Sequence, residues 1–282
     1  MSLSRHVEAT GWDGVWYADH FMPNAPDTSG PWPECWTTLA ALAATVPRVR
    51  IGALVTGNTY RHPAVLAKMV ATIDHISGGR AVLGLGAGWQ ENEHTQYGIP
   101  FYTLAERLAR LDEACQVIKG LYSATKFDFD GRYYQLRDAS LEPKPVQRPL
   151  PLLIGGGGEK VTLRITAQHA DEWNVWGTVE TLRSKIAILN EHCKKIGRDP
   201  ATIKKSAVAL LFMNDDPAVN EKMRSRPIPQ ATIIGTPAEV KEIVANYAAV
   251  GVDELIVPDF TLGDMAQKQR TLDTFIQKVA GR

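Results

Sequence analysis

The chain has 282 residues, and its 31 lysines and arginines balance 31 aspartates and glutamates. Zero net charge speaks against a general nucleic-acid or anionic-membrane surface, which needs a basic excess. Cys35, Cys115 and Cys193 lie far apart with no CxxC spacing, so a disulfide framework or zinc site is not expected, and a reducing cytosol fits.

No apolar run approaches membrane-spanning length, and Met1–Gly11 carries Arg5, His6 and Glu8 where a signal peptide would be apolar. Leu3, Val7 and Ala9 before Gly11 trace the end of an amphipathic helix with no strand ahead of it. The chain therefore reads as starting in mid-unit.

Asp13–Ala18 predicts a short buried strand ending in Asp19-His20, and proline-rich Phe21–Glu34 predicts a loop. Cys35–Thr45 is an alanine-rich helix. Arg50–Thr56 is a strand, followed by the irregular Gly57–His62. Pro63 opens a helix at its first turn, with Val65, Met69, Ile73 and Ile76 as its apolar stripe. Arg80–Leu85 is a buried strand. Gly84, Gly86 and Gly88 thin its end, and the polar and aromatic run Trp89–Glu93 follows.

Thr103 and Glu106 form a capping box. The helix behind it runs to about Tyr122, with Leu104, Leu108, Leu111, Cys115 and Ile118 on one face. Phe127–Leu136 reads as a hairpin around Asp130-Gly131, and Pro143–Pro151 as an extended connector. Leu152–Ile154 is a strand cut off by Gly155–Gly158, with a helix over Glu159–His169. A strand at Glu172–Trp176, a helix at Thr178–Ile196 and a strand at Ile203–Met213 follow. Asp216–Arg226 is a short polar helix or lid. Thr236 and Glu239 form a second capping box for a helix to Val250. Glu254–Pro258 is a strand, and Asp264–Val279 a last helix with Leu272, Phe275, Ile276 and Val279 inward.

Strand and helix alternate throughout, which predicts a parallel sheet. Seven strands and an opening helix without its strand point to an α/β fold, a (β/α)8 barrel lacking its first β-strand, as one domain over residues 1–282. A doubly wound open sheet is the competing architecture.

The glycines 84, 86 and 88 invite a dinucleotide-binding reading. Trp89 follows the third glycine, however, and no strand with a terminal acidic residue comes next, so a cofactor site at a barrel mouth fits better. A plain glycine-rich turn is the simpler alternative. Gly155, Gly156, Gly157 and Gly158 follow a strand and open a helix, where free amides and the helix dipole favour a phosphate. Asp19 and His20 stand at a strand end. His20 there either exchanges a proton or merely packs. His62, His75, His94, His169 and His192 show no ligand spacing and read as surface or capping residues, so no metal is expected. Trp32, Trp36 and Trp89 are placed to line an aromatic pocket.

Taken together, Gly11–Phe21, Arg50–Lys68, Asp74–His94, Tyr97–Phe101, Leu153–Asn174 and Ile233–Val240 resemble the luciferase-like family of flavin- and deazaflavin-dependent barrel enzymes. The forms GLGAGW and YRHPA are most similar to its coenzyme F420-dependent branch. The resemblance implies an oxidoreductase that moves a hydride between F420 and a small-molecule substrate. The alternatives are an FMN-dependent monooxygenase or a non-catalytic flavin-binding barrel.

It further implies that Leu54, Val55 and Thr56 form a ring-supporting bulge, often with a non-proline cis peptide. Asp19 and His20, the candidate catalytic residues, would face the ring, Gly86, Gly88 and Asn92 would contact ring and tail, and Gly155–Gly158 would take the phosphate. A cytoplasmic homodimer completes the expectation. Relatives carry a first strand ahead of the helix that begins here at Ser2.

Overall fold

Helix α1 (Ser2–Ala9) opens the chain, and Gly11, at φ 90°, turns it into Trp12, which stacks on Phe275 with ring centroids 5.5 Å apart. The computed structural model describes all 282 residues, and they form two compact units. One is Gly14–Gly155; the other joins Met1–Asp13 to Gly156–Arg282.

The Gly14–Gly155 unit runs β1 (Gly14–Tyr17), α2 (Cys35–Thr45), β2 (Arg50–Ala53), β3 (Thr56–Gly57), α3 (Pro63–Ser77), β4 (Ala81–Gly86) and α4 (Glu91–Tyr97). It continues with α5 (Leu104–Ser123), β5 (Phe127–Asp130), β6 (Gln135–Ala139) and β7 (Leu152–Gly155). β1, β2, β4 and β7 lie side by side and parallel, with β3 beside the end of β4. Every residue of β4 is buried, as expected of a parallel strand covered on both faces. Glu34, His62 and Thr103 cap α2, α3 and α5, and the predicted box of Thr103 with Glu106 is present. β5 and β6 form the expected hairpin.

Two expectations need correction in this unit. The strand over Arg50–Thr56 is interrupted: the Leu54–Val55 peptide is cis, and pairing resumes at Thr56, opposite Leu85. The stripe on α3 is rotated. Val65 and Ile76 are exposed, while Leu66, Ala67, Val70, Ile73 and Asp74 are buried.

The other unit adds to α1 the elements α6 (Thr162–His169), β8 (Glu172–Trp176), α7 (Val179–Lys195), β9 (Lys204–Val208), β10 (Leu210–Met213) and α8 (Pro217–Arg224). Then come β11 (Thr232–Gly235), α9 (Pro237–Ala249), β12 (Glu254–Ile256) and α10 (Met265–Thr274), which passes into a π-helical turn over Phe275–Ala280. β8, β9 and β12 are parallel neighbours. The single strand expected over Ile203–Met213 divides at Ala209, because β10 leaves β9's sheet to pair with β11.

Cys35 and Cys115 in the first unit and Cys193 in the second are buried and unpaired. No cluster of ligating side chains forms a metal site, and no helix is long and apolar enough to cross a membrane.

Candidate active site

In the Gly14–Gly155 unit the parallel strands β1, β2, β4 and β7 end at Tyr17, Ala53, Gly86 and Gly155, and the residues just beyond these ends converge. Asp19, two residues past β1, is 1% exposed. Arg61 grips its carboxylate with two bonds, at 2.6 and 3.1 Å, and donates a third, at 2.5 Å, to Glu34. Glu34 in turn accepts from the Trp36 and Thr37 amides at the start of α2. Burial pushes the Asp19 carboxyl above its ordinary range, and Arg61 and the Thr56 hydroxyl only partly oppose this.

His20 is held from the opposite sequence direction. Its Nδ1 lies 2.8 Å from Glu93 Oε1, and the Phe21 amide donates to Glu93 Oε2 at 2.8 Å. Tyr60 donates its hydroxyl to the same carboxylate. The Glu93 side chain is wholly buried and that of His20 is 17% exposed. Burial works to raise the Glu93 carboxyl, yet the hydrogen bonds from His20, Tyr60 and Phe21 outweigh it and hold it below its ordinary value. An ionised Glu93 accepts, so His20 Nδ1 carries the proton and Nε2 makes no hydrogen bond. Trp89 meets the imidazole edge-on at 5.4 Å, and Trp32 at 6.4 Å.

The glycines serve the bulge. A Cβ on Gly86 or Gly155 would lie 2.9 or 2.8 Å from Val55 Cγ2, and one on Gly84 would lie 2.0 Å from the Ala53 carbonyl oxygen. The room left beside β4 is thus filled by Ala53 and Val55 of the chain itself. Gly88, at φ 82°, abuts Thr59, which hydrogen-bonds His94 Nε2 at 2.7 Å, while Arg107 donates to the Gly88 carbonyl. Asn92 Oδ1 is buried and accepts no hydrogen bond.

The description "luciferase-like monooxygenase" matches residues 1–229. The chain belongs to the luciferase-like monooxygenase family. It is 36% identical over 216 residues to an F420-dependent glucose-6-phosphate dehydrogenase of Kineococcus radiotolerans, covering 75% of this chain and 63% of that protein. It is 29% identical over 260 residues to an FMNH2-dependent dimethylsulfone monooxygenase of Pseudomonas putida, covering 77% and 70%. A second F420-dependent glucose-6-phosphate dehydrogenase, from Amycolatopsis mediterranei, is 38% identical over 55% of this chain and 46% of its own length. The chain therefore spans less than two thirds of these two dehydrogenases.

Among solved structures, the F420-dependent tetrahydromethanopterin reductase of Methanopyrus kandleri superposes with a TM-score of 0.79 at 19% identity, over 99% of this chain and 94% of that one. An F420-dependent secondary alcohol dehydrogenase gives 0.82 at 20% identity, over 99% and 93%. These likenesses show the fold class, α/β of the luciferase-like (β/α)8 barrel type.

Within this luciferase-like chain, the unpartnered Asn92 Oδ1 suits an N–H or O–H donor of a ring cofactor, and the exposed Trp89 offers such a ring an apolar flank. A flavin or deazaflavin fits these residues. Leu54, Val55, Thr56, Gly86, Gly88 and Asn92 are brought together with Asp19 and His20 in one unit, whereas Gly156–Gly158 belong to the other.

In that other unit the helix expected at Glu159 begins at Thr162, and a turn over Glu159–Val161 intervenes. The Gly156 amide is engaged with Asn174 O at 2.9 Å, and the Gly156 carbonyl accepts from Trp173 Nε1 at 2.8 Å. Two aromatic and histidine expectations also change. Trp36 is 2% exposed and donates to Thr56 at 2.9 Å, so it supports the bulge from behind. His94 is wholly buried, pinned between Thr59 and the Gln90 carbonyl. Glu93, Arg61 and Tyr60 carried no assigned role in the sequence. The usable signal for Glu93 was a buried-strand end followed by acids at 91 and 93, only the second of which faces inward.

Proposed function

We propose that this protein is an oxidoreductase that moves a hydride between coenzyme F420, an 8-hydroxy-5-deazaflavin, and a small organic substrate. The carrying observation is the His20–Glu93 pair, with Nδ1 committed and Nε2 open beside Trp89. The bound deazaflavin supplies the hydride chemistry. His20 Nε2 gives or takes the proton that accompanies the substrate's change at oxygen. Glu93 fixes the imidazole orientation and its tautomer. Asp19, both oxygens taken by Arg61, positions the strand end. Asn92, Leu54, Val55 and Thr56 orient the ring, with Gly86 and Gly155 seating the bulge and Gly88 abutting Thr59.

Two relatives named as F420-dependent dehydrogenases support the F420 reading. The longer alignment with an FMNH2-dependent monooxygenase favours a second reading, reduced FMN with oxygen. Residues 1–282 are read as one luciferase-like domain, working in the cytoplasm as a homodimer. Balanced charge leaves small molecules rather than nucleic acid as partners.

Anaerobic fluorescence titration with oxidised F420 and, separately, with FMN tests this. Micromolar or tighter binding of F420, with FMN at least tenfold weaker, supports the first reading. The reverse order, with oxygen uptake driven by a flavin reductase, supports the second. Binding of neither defeats both.

A further inference from the structure

The unit formed by Met1–Asp13 and Gly156–Arg282 holds a cavity that the chemistry above does not use. Its volume is about 400 Å³, within the range of small-molecule sites. β10 and α8 supply an apolar lining of Phe212, Met213, Val219 and Met223. Asn214, Asn220, Gln267 and Thr271 line it too; Asn220 donates to the Asn214 carbonyl at 2.8 Å, and Gln267 Oε1 accepts from the Asp264 amide at 2.8 Å. Two further polar groups line it. Thr261 Oγ1 is buried and has no hydrogen-bond partner. Arg270, on α10, is the sole charged residue of the lining.

The acids nearest Arg270 in the sequence are committed elsewhere. Asp259 pairs with Lys268 at 2.6 Å, Asp273 pairs with His6 at 2.7 Å, and Asp264 caps α10 by accepting from the Gln267 amide at 2.8 Å. A guanidinium without a counterion, a hydroxyl without an acceptor and an adaptable thioether and aromatic wall together describe one kind of ligand. That ligand carries a single negative charge on an apolar body.

We propose that this cavity binds a small organic monocarboxylic acid. Arg270 and the Thr261 hydroxyl donate to its carboxylate, and its alkyl or aryl body lies against Met213 and Met223.

Calorimetric titration of the full chain with hexanoate, and in parallel with hexanamide, tests this. The expected result is one hexanoate site, with hexanamide at least about tenfold weaker, since it lacks the charge. Arg270→Gln and Thr261→Val should each weaken hexanoate, the first by about tenfold or more. A thermal melt establishes that each variant is folded. As a measurement needing no variant, hexanoate affinity in the unaltered protein should fall as salt is raised. Absence of hexanoate binding, equal affinity for acid and amide, or affinity independent of salt would each overturn the proposal.

Discussion

Glu93 and His20, 73 positions apart in sequence, meet at 2.8 Å, the carboxylate wholly buried and the imidazole partly open. The buried partner fixes which nitrogen carries the proton, and so fixes what the open nitrogen can do. His20→Ala should therefore lower kcat by about 100-fold or more while shifting F420 affinity by less than about threefold. Stopped-flow turnover beside equilibrium titration separates the two; equal losses in both would remove the catalytic assignment.

The same carboxylate predicts a pH dependence of stability. Its folded pKa lies below the ordinary value of 4.5, so its contribution is present above that value and is lost as pH falls through the folded pKa. Glu93→Gln, which leaves a buried amide among three donors, should cost about 2 kcal/mol at neutral pH. Urea midpoints across the acid range should show the gap between variant and parent closing below pH 4.5.

Arg61 predicts the opposite slope. Burial has already raised the Asp19 pKa, and Arg61→Met would raise it further by removing the compensating charge. A carboxyl with a raised folded pKa favours the fold at low pH and opposes it as pH rises through that pKa. The variant should lose about 3–5 kcal/mol at neutral pH and regain part of it toward acid. Adding Asp19→Asn should restore part of the loss and flatten the slope.

The glycines of β4 give a contrast between neighbours. Gly86→Ala places a methyl against the Val55 side chain and should cost about 1–3 kcal/mol, relieved when Val55→Ala is added. Gly84→Ala places it against the Ala53 carbonyl, where no side chain can yield, so Val55→Ala should not rescue it. A double-mutant cycle on denaturation midpoints reads both.

The parts of the fold written in local chemistry were legible. Both capping boxes, the proline starts of α3 and α9 and the hairpin depend on a few adjacent residues and stand where the sequence puts them. The misread features depend on partners. α3 is apolar on more than one side, so only packing shows that Leu66, Ala67 and Val70 face inward while Val65 does not. The division at Ala209 lies in a continuous apolar run with no glycine or proline to mark it. β11 and α4 are too short for periodicity to reveal.

At the candidate site, His20, Asn92 and the bulge were marked by strand ends, glycines and family likeness. Arg61 and Glu93 were not, because their significance is a pairing made across 42 and 73 residues.

The three hidden thiols give the chain an internal clock. Cys35 and Cys115 sit in one unit and Cys193 in the other, all shielded from solvent and with burial raising each thiol's pKa. A maleimide added to the native protein meets no reactive sulfur, so each labelling event records an opening, and peptide mapping tells which half of the chain let go first.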